Sequence, residues 1–432
     1  MTRCELNRIG IRNEHSSEFM DFDVIVLGAG IVGVSSALHL QDRGRRVGLV
    51  DRRGPGEETS FGNAGLIESS SVVPYGFPRD LGTLLRYMRN RSTDLYWDYK
   101  ALPSFATWLA RFWWESSPER LEAAARDMLP LIRRSVAEHD LFIERAGLQS
   151  LAHDGGWIEA FRTRSEYERQ VSAAEVTART YGLRVVPCDA DALVAREPGI
   201  APGFSGALHW QDPKSISNPG ALTKGYARLF DEGGGALLTG EAVTVRQEAD
   251  AWTVQTSQGR ISAREVVVAL GPWSDKVFEP LGYRIPLRAK RGYHMHYEAT
   301  KSMLSIPLVD TEKGYVVAPM QGRLRLTTGV EIARRDAPPT GVQLDRAEAL
   351  ARPIFGLGRR LDDAPWLGLR PCTPDMRPVI GRAPRHRGLW FSFGHNHHGL
   401  TLGPVTGRLL AEMMTGGEPF TDPHPFRPER FR

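Results

Sequence analysis

The stretch Phe22-Asp-Val-Ile-Val-Leu-Gly-Ala-Gly-Ile-Val-Gly33, followed by an apolar helical run and then Val47-Gly-Leu-Val-Asp51, limits what this chain can fold into. Val24 to Leu27 is continuous and β-branched, the character of a strand buried on both faces of a parallel sheet. Gly28, Gly30 and Gly33 supply a tight turn, close approach of a phosphate to the backbone, and close packing of helix on strand. Ala29, Ile31 and Val32 lie between them, where the first N–H groups of the helix point at a ligand. Asp51 ends the second strand about twenty residues on, where a carboxylate accepts hydrogen bonds from a ribose diol, with Arg52 beside it. The pattern predicts a strand–helix–strand unit that binds an adenine dinucleotide, and by itself leaves FAD and NAD both open.

At 432 residues two domains are expected, and 41% hydrophobic with 25% charged residues is the balance of a globular protein. A formal charge of +4, with basic residues scattered among acids, gives no case for a nucleic-acid partner. Cys4, Cys188 and Cys372 lie far apart without a CxxC pair, which argues against a disulfide framework or zinc and fits a reducing, cytoplasmic compartment. Residues 1–20 carry charges throughout and read as a disordered extension rather than a signal peptide. No apolar run is long enough to cross a bilayer.

Next comes a glycine-rich loop, Gly54 to Ile67, in which Thr59, Ser60, Asn63, Ala64 and Gly65 offer small side chains and polar groups to a ligand. Residues 80–146 read as helices, with a break or kink at Pro130. Tyr96, Trp97, Trp108, Trp113 and Trp114, flanked by Lys100 and Arg111, fit either an aromatic cap packed on the core or peripheral contact with the cytoplasmic face of a membrane. Residues 155–180 read as helical and 182–206 as irregular. A helix from Asn218 starts with Pro219 at its first position. Short strands follow, including 242–246 and a buried run, Glu265 to Leu270, that enters a second glycine turn at Gly271. From Leu287 the alternation predicts long antiparallel strands suited to a substrate floor, with Arg291, Tyr293 and Tyr315 as candidate lining. A helix over 345–361 with a break at Pro353 precedes the strand Leu389 to Phe393, the turn at Gly394, and a last helix. That helix would present the free N–H groups around Gly399, Leu400 and Thr401 to the crevice.

The expected fold is therefore α/β: a discontinuous Rossmann-type dinucleotide domain from residues 21–80, 216–275 and 362–420. The segments 81–215 and 276–361 form an inserted α+β substrate domain built on an antiparallel sheet.

Beyond the glycine fingerprint, Glu58-Thr-Ser-Phe-Gly-Asn-Ala-Gly65, Arg291-Gly-Tyr293, Gly368-Leu-Arg-Pro-Cys-Thr-Pro-Asp375 and Gly394-His-Asn-His-His-Gly-Leu-Thr-Leu-Gly403 resemble the D-amino-acid oxidase and glycine oxidase superfamily of flavoproteins. Within it they are most similar to bacterial FAD-dependent D-amino-acid dehydrogenases. The resemblance implies FAD, and a D-amino or imino acid oxidised at its Cα–N bond. The electron acceptor is left open among a quinone, a dye-like acceptor and dioxygen, and so is a homo- or hetero-oligomer. It implies a carboxylate-binding role for Arg370, which the guanidinium fork suits, against the alternative of a salt bridge to Asp375. Val243 falls where the family's backbone meets the adenine, or is plain core. His397 stands where glycine oxidase has an arginine and would influence flavin or substrate protonation. Three histidines in four residues lack a carboxylate or cysteine companion in the sequence, so no metal is expected. A related oxidase tethers its flavin through a cysteine at a position where this chain has Gly368, which implies noncovalent FAD. Glycine- or sarcosine-type oxidation, D-proline- or D-hydroxyproline-type oxidation, and the flavin subunit of an opine-oxidising complex are the alternatives.

Overall fold

A computed structural model describes residues 21–431. The expected extension 1–20, with Cys4, lies outside the described residues.

The strands Ala236–Thr239, Val47–Asp51, Phe22–Leu27, Gly259–Val268 and Leu389–Phe393 lie side by side in that order, all parallel. The continuous apolar runs account for this: Val24 to Leu27 and Val266 to Val268 are fully buried, as strands covered on both faces must be. The first half of Gly259–Val268 also pairs antiparallel with Ala251–Thr256, which pairs with Arg246–Glu248. Because the five parallel strands share one direction, the turns at Gly28, Arg52, Gly240, Gly271 and Gly394 all fall at one end of the sheet. Ligands bind at that end of an open parallel sheet.

The helix Ile31–Gln41 is clamped by the helix Gly399–Met414. Gly403 and Gly407 make this possible: a β-carbon would lie 2.9 Å from Ile31 Cγ1 at the first and 2.7 Å from the Ser35 backbone at the second. The two dinucleotide-side helices, far apart in sequence, thus touch backbone to backbone.

A second, eleven-stranded sheet faces this one, centred on the long strand Arg288–Ala299. Its first half pairs antiparallel with Trp366–Cys372, its second half with Arg323–Thr327. Most elements lie where the sequence puts them, and Asn218 caps its helix by accepting from the Ala221 N–H at 3.0 Å. Four local readings need correction. Residues 155–180 are not one helix: Trp157–Phe161 is a buried strand between two partners, and the helix starts at Arg164. The stretch 182–206 holds the strand Val185–Asp189 and a helix, Ala190–Arg196, capped by the Asp189 carboxylate on Ala192 N. Residues 242–244 form a single 3-10 turn rather than a strand. Pro130 sits inside one uninterrupted helix, Pro118–Arg145. A fifth reading, the helix over 345–361, is also changed: the helix is Val342–Phe355 with Pro353 inside it, Gly356 at φ of +57° ends it, and Leu357–Arg360 is a strand.

Candidate active site

The strand ends and the antiparallel sheet enclose a cavity of about 1260 Å³. That exceeds the usual span of a site for one small ligand, and leaves room for a dinucleotide and a substrate together. Its dinucleotide end is lined by Gly28, Gly30, Ile31, Val32, Asp51 and Arg52.

Gly28 has φ of +105°, and a β-carbon there would lie 2.6 Å from the Ala269 carbonyl oxygen. At Gly33 it would lie 1.8 Å from the Gly28 oxygen, so helix and turn meet only without a side chain. No side chain caps the helix at Gly30, and Ser60 Oγ accepts the Ile31 N–H at 3.0 Å. Asp51 accepts from Ala29 N at 2.7 Å and Arg53 N at 2.9 Å, while burial raises its carboxyl above the ordinary range. Each carboxylate oxygen retains a lone pair toward the cavity. An uncapped helix end, a bare turn and an acid at the strand end fit the phosphates and ribose of a dinucleotide.

The loop after Asp51 is held rigidly. Thr59 Oγ1 donates to Leu369 O at 2.9 Å, and Asn63 Oδ1 accepts from Gly65 N at 2.8 Å. Arg325 donates to the carbonyls of Phe61 and Asn63. Ala64 lines the cavity, and Gly65, at φ of +79°, has the Ile216 oxygen 2.2 Å from where a β-carbon would be. Gly271 and Gly394 also have positive φ, Val243 is half exposed on the wall, and Gly399 and Leu400 open the last helix, again with no side-chain cap. Thr401 is buried, with its hydroxyl between Leu66 O and Glu68 N. The positive end of this helix therefore looks into the cavity.

Arg370 enters from the strand Trp366–Cys372. Its guanidinium donates to Arg291 O at 3.2 Å, Gly329 O at 3.0 Å and Thr328 O at 3.3 Å. No carboxylate is paired with it among the described residues; Asp375 is paired with Arg430 at 2.7 Å instead. The sheet register sets Lys290 beside it. The Lys290 ammonium lies 4.1 Å from the Phe112 ring centroid and 5.0 Å from that of Trp108. Burial pushes the pKa of both cations down, the mark of charge held without a counter-ion. Lys290 was not marked by its sequence position; only its place on the same strand face as Arg288 and Gly292 could have signalled it.

The structure does not bring every candidate to the cavity. Tyr315 is fully buried elsewhere, its hydroxyl 3.0 Å from Arg162 Nη2. Arg291 turns to the opposite face, buried in an ion pair with Glu331 at 2.9 Å. Tyr293 touches the lining, but its hydroxyl donates to Glu331 at 2.5 Å and accepts from Thr340 N. His397 does line the cavity, its ring 3.8 Å from that of His398. The histidines do have a carboxylate companion, contrary to the sequence reading: Glu68 comes within 4.0 Å of His398 Nδ1. Ligand atoms of Glu68, His397 and His398 lie within 4.8 Å of one another.

A parallel-sheet dinucleotide site facing an antiparallel sheet that carries two unpaired cations defines a flavin-dependent oxidoreductase. Residues 23–413 match the model of the FAD dependent oxidoreductase (DAO) family, and the chain belongs to that family. It is 32% identical to a D-amino-acid oxidase of Bradyrhizobium diazoefficiens over 94% of this chain and 98% of that one. It is 30% identical to a D-amino acid dehydrogenase of Dechloromonas aromatica, over 92% and 97%. Glycine oxidase from Geobacillus kaustophilus has the same fold, with TM-score 0.74 at 21% identity, covering 95% and 98% of the two chains.

Proposed function

We propose that this protein oxidises the Cα–N bond of D-amino acids, yielding an imine that hydrolyses to a keto acid and ammonia. One observation carries the reading: Arg370, held by three carbonyls, lines the cavity beside Lys290 with donors to spare and no carboxylate paired to it among the described residues. A buried cation without a partner is costly, and a substrate carboxylate relieves that cost through a charge-assisted, two-pronged contact. Bound FAD supplies the hydride acceptor. The chain's own part is to fix the carboxylate, exclude water with Phe105, Phe112 and Tyr293, and present the helix end at Gly399 to developing negative charge. The names of the Bradyrhizobium and Dechloromonas relatives support the same substrate class.

Segments 21–80, 216–275 and 362–420 would serve the cofactor, and 81–215 with 276–361 the substrate, except that the strand Trp366–Cys372 pairs into the substrate sheet and carries Arg370 there. FAD would be held without a covalent bond, Gly368 standing where a tether would attach; acid precipitation should leave the yellow colour in the supernatant. Arg370→Ala should raise KM and depress turnover while flavin is retained. Unchanged kinetics with a D-amino acid would remove Arg370 from this role. Oxygen uptake against dye reduction separates an oxidase from a dehydrogenase.

Peripheral contact with an anionic membrane surface belongs to the same reading. Among the described residues no helix is long and apolar enough to cross a membrane. The helix Leu81–Met88 buries none of its residues, however, and exposes Leu81 (76%), Leu85 (57%) and Met88 (67%). Arg79 joins it to the exposed Trp113, stacking at 4.2 Å, and Arg120 stacks on the exposed Trp114. Apolar side chains among arginines suit an anionic interface. Cosedimentation with phosphatidylglycerol vesicles, lost in Leu81→Ser/Leu85→Ser, tests it.

A further inference from the structure

The cavity wall carries cations, imidazoles and carboxyl groups. Lys290 and Arg370 stand at one place; His397 follows, lowered in pKa by burial, by His398 and by those two cations. His398 comes next, 3.8 Å away ring to ring, and then Glu68. Glu159, also on the lining, feels the charge of Glu68 and has its carboxyl raised, chiefly by burial. The lining thus brings two imidazoles and two carboxyl groups into the same cavity as the two cations.

The far group is short of partners. His398 is 6% exposed, and its Nδ1 has no hydrogen-bond partner; nor has the enclosed Nε2 of His397. Glu68 receives one hydroxyl, from Ser71 at 2.6 Å, and Glu159 one indole N–H, from Trp210 at 2.9 Å. A carboxylate only accepts hydrogen bonds, and each neutral imidazole adds one accepting nitrogen beside its N–H, so the wall offers several acceptors to a ligand. A buried acceptor left unmet destabilises the site, and a ligand that brings the missing donor gains accordingly. The substrate's α-amino group is bonded to the same carbon as the carboxylate held at Arg370. The side chain is then the part of the substrate free to carry a further donor to Glu68 and the two histidines, whose ligand atoms lie within 4.8 Å of one another.

We propose that Glu68, Glu159 and the facing nitrogens of His397 and His398 form a side-chain subsite, and that the enzyme prefers amino acids whose side chain ends in a hydrogen-bond donor, foremost an ammonium group. This rests on the reading of Arg370 as the carboxylate anchor. A site built around acceptors discriminates strongly against an analogue without the donor, whereas an apolar pocket would barely separate the two.

Matched pairs test it on the holoenzyme: D-lysine against D-norleucine for the ammonium, and 6-hydroxy-D-norleucine against D-norleucine for the hydroxyl, by anaerobic flavin bleaching and steady-state dye reduction with EDTA present. The expected result is kcat/KM for D-lysine at least about tenfold above D-norleucine. Glu68→Gln should erase that preference while leaving D-norleucine within about twofold, and Glu159→Gln should weaken it in the same direction, both with full flavin content. A preference confined to 6-hydroxy-D-norleucine supports the subsite with a hydroxyl as its donor. Equal rates within both pairs overturn it while the deamination reading stands. A uniform loss on all substrates in Glu68→Gln overturns it too, by assigning the acid to the α-amino group. A preference present without EDTA and abolished by it gives the Glu68, His397 and His398 cluster to a metal ion and likewise overturns it. If no D-amino acid bleaches the flavin, D-alanine included, the underlying reading fails and the subsite with it.

Discussion

Gly292 lies directly beneath the Arg370 guanidinium: a β-carbon on Gly292 would fall 2.4 Å from Arg370 Nη1. The strand that carries Lys290 thus leaves its one bare position where the neighbouring strand's arginine must cross it. Gly292→Ala should push the guanidinium off its three carbonyls. We expect KM for D-amino acids to rise about tenfold or more with flavin content unchanged. An unaltered KM would show that the arginine can take its position from elsewhere.

The Arg291–Glu331 pair is buried on both sides and sits behind the substrate floor rather than in it. Removing one partner leaves a buried charge unmet, which costs about 3–5 kcal/mol. Glu331→Gln should therefore lower Tm sharply in thermal denaturation. KM in protein that remains folded should move far less than in Gly292→Ala.

The buried histidines give the fold an acid limit. Burial lowers His139 to about 4, with its ring between the Tyr226 hydroxyl and Leu400 O, and lowers His39 and His395 to about 3. The unfolded chain titrates these groups near 6.5, so between about 6.5 and 4 it binds protons that the native state refuses. Stability should be flat above about pH 6.5 and fall as the pH drops below it, with a slope of about 1.4 kcal/mol per pH unit for each such group. Denaturant titrations from pH 4 to 8 measure this. In His139→Gln the slope should decrease by about one group's share, and an unchanged slope would mean His139 is protonated in the native protein.

Gly28→Val should abolish flavin binding, since a side chain there must take a φ of +105° and meet the Ala269 oxygen. Fluorescence titration with FAD measures it. Retention of affinity would place the dinucleotide elsewhere in the cavity.

Much of this was readable before the structure. Strand–turn–helix–strand patterning depends on residues close in sequence, and Val24 to Asp51 declares its strands, turn and terminal acid locally. The place of Arg370 on the cavity wall was also legible, through a stretch specific enough to single it out by resemblance. What was not legible depends on pairing across distance. Lys290 becomes Arg370's neighbour only through an antiparallel register between distant strands, and Glu68 becomes the histidines' companion only because Thr401 ties its backbone to the last helix. The same register decides faces: Arg291 and Tyr293, one and three residues past Lys290, point their polar ends away from the cavity. Propensity alone likewise read Trp157–Phe161 as helix, where pairing on both edges made it a strand.

The contact of Gly403 and Gly407 with the first helix has a consequence for the growing chain. The dinucleotide turn emerges early from the ribosome, but the surface that closes over it is among the last to appear. Until then the side of the first helix at Ile31 and Ser35, which those glycines meet, stands open, and the nascent protein is expected to remain loosely collapsed there. Capture of the flavin would then report that the helix Gly399–Met414 has docked: a polypeptide stopped short of it would remain colourless.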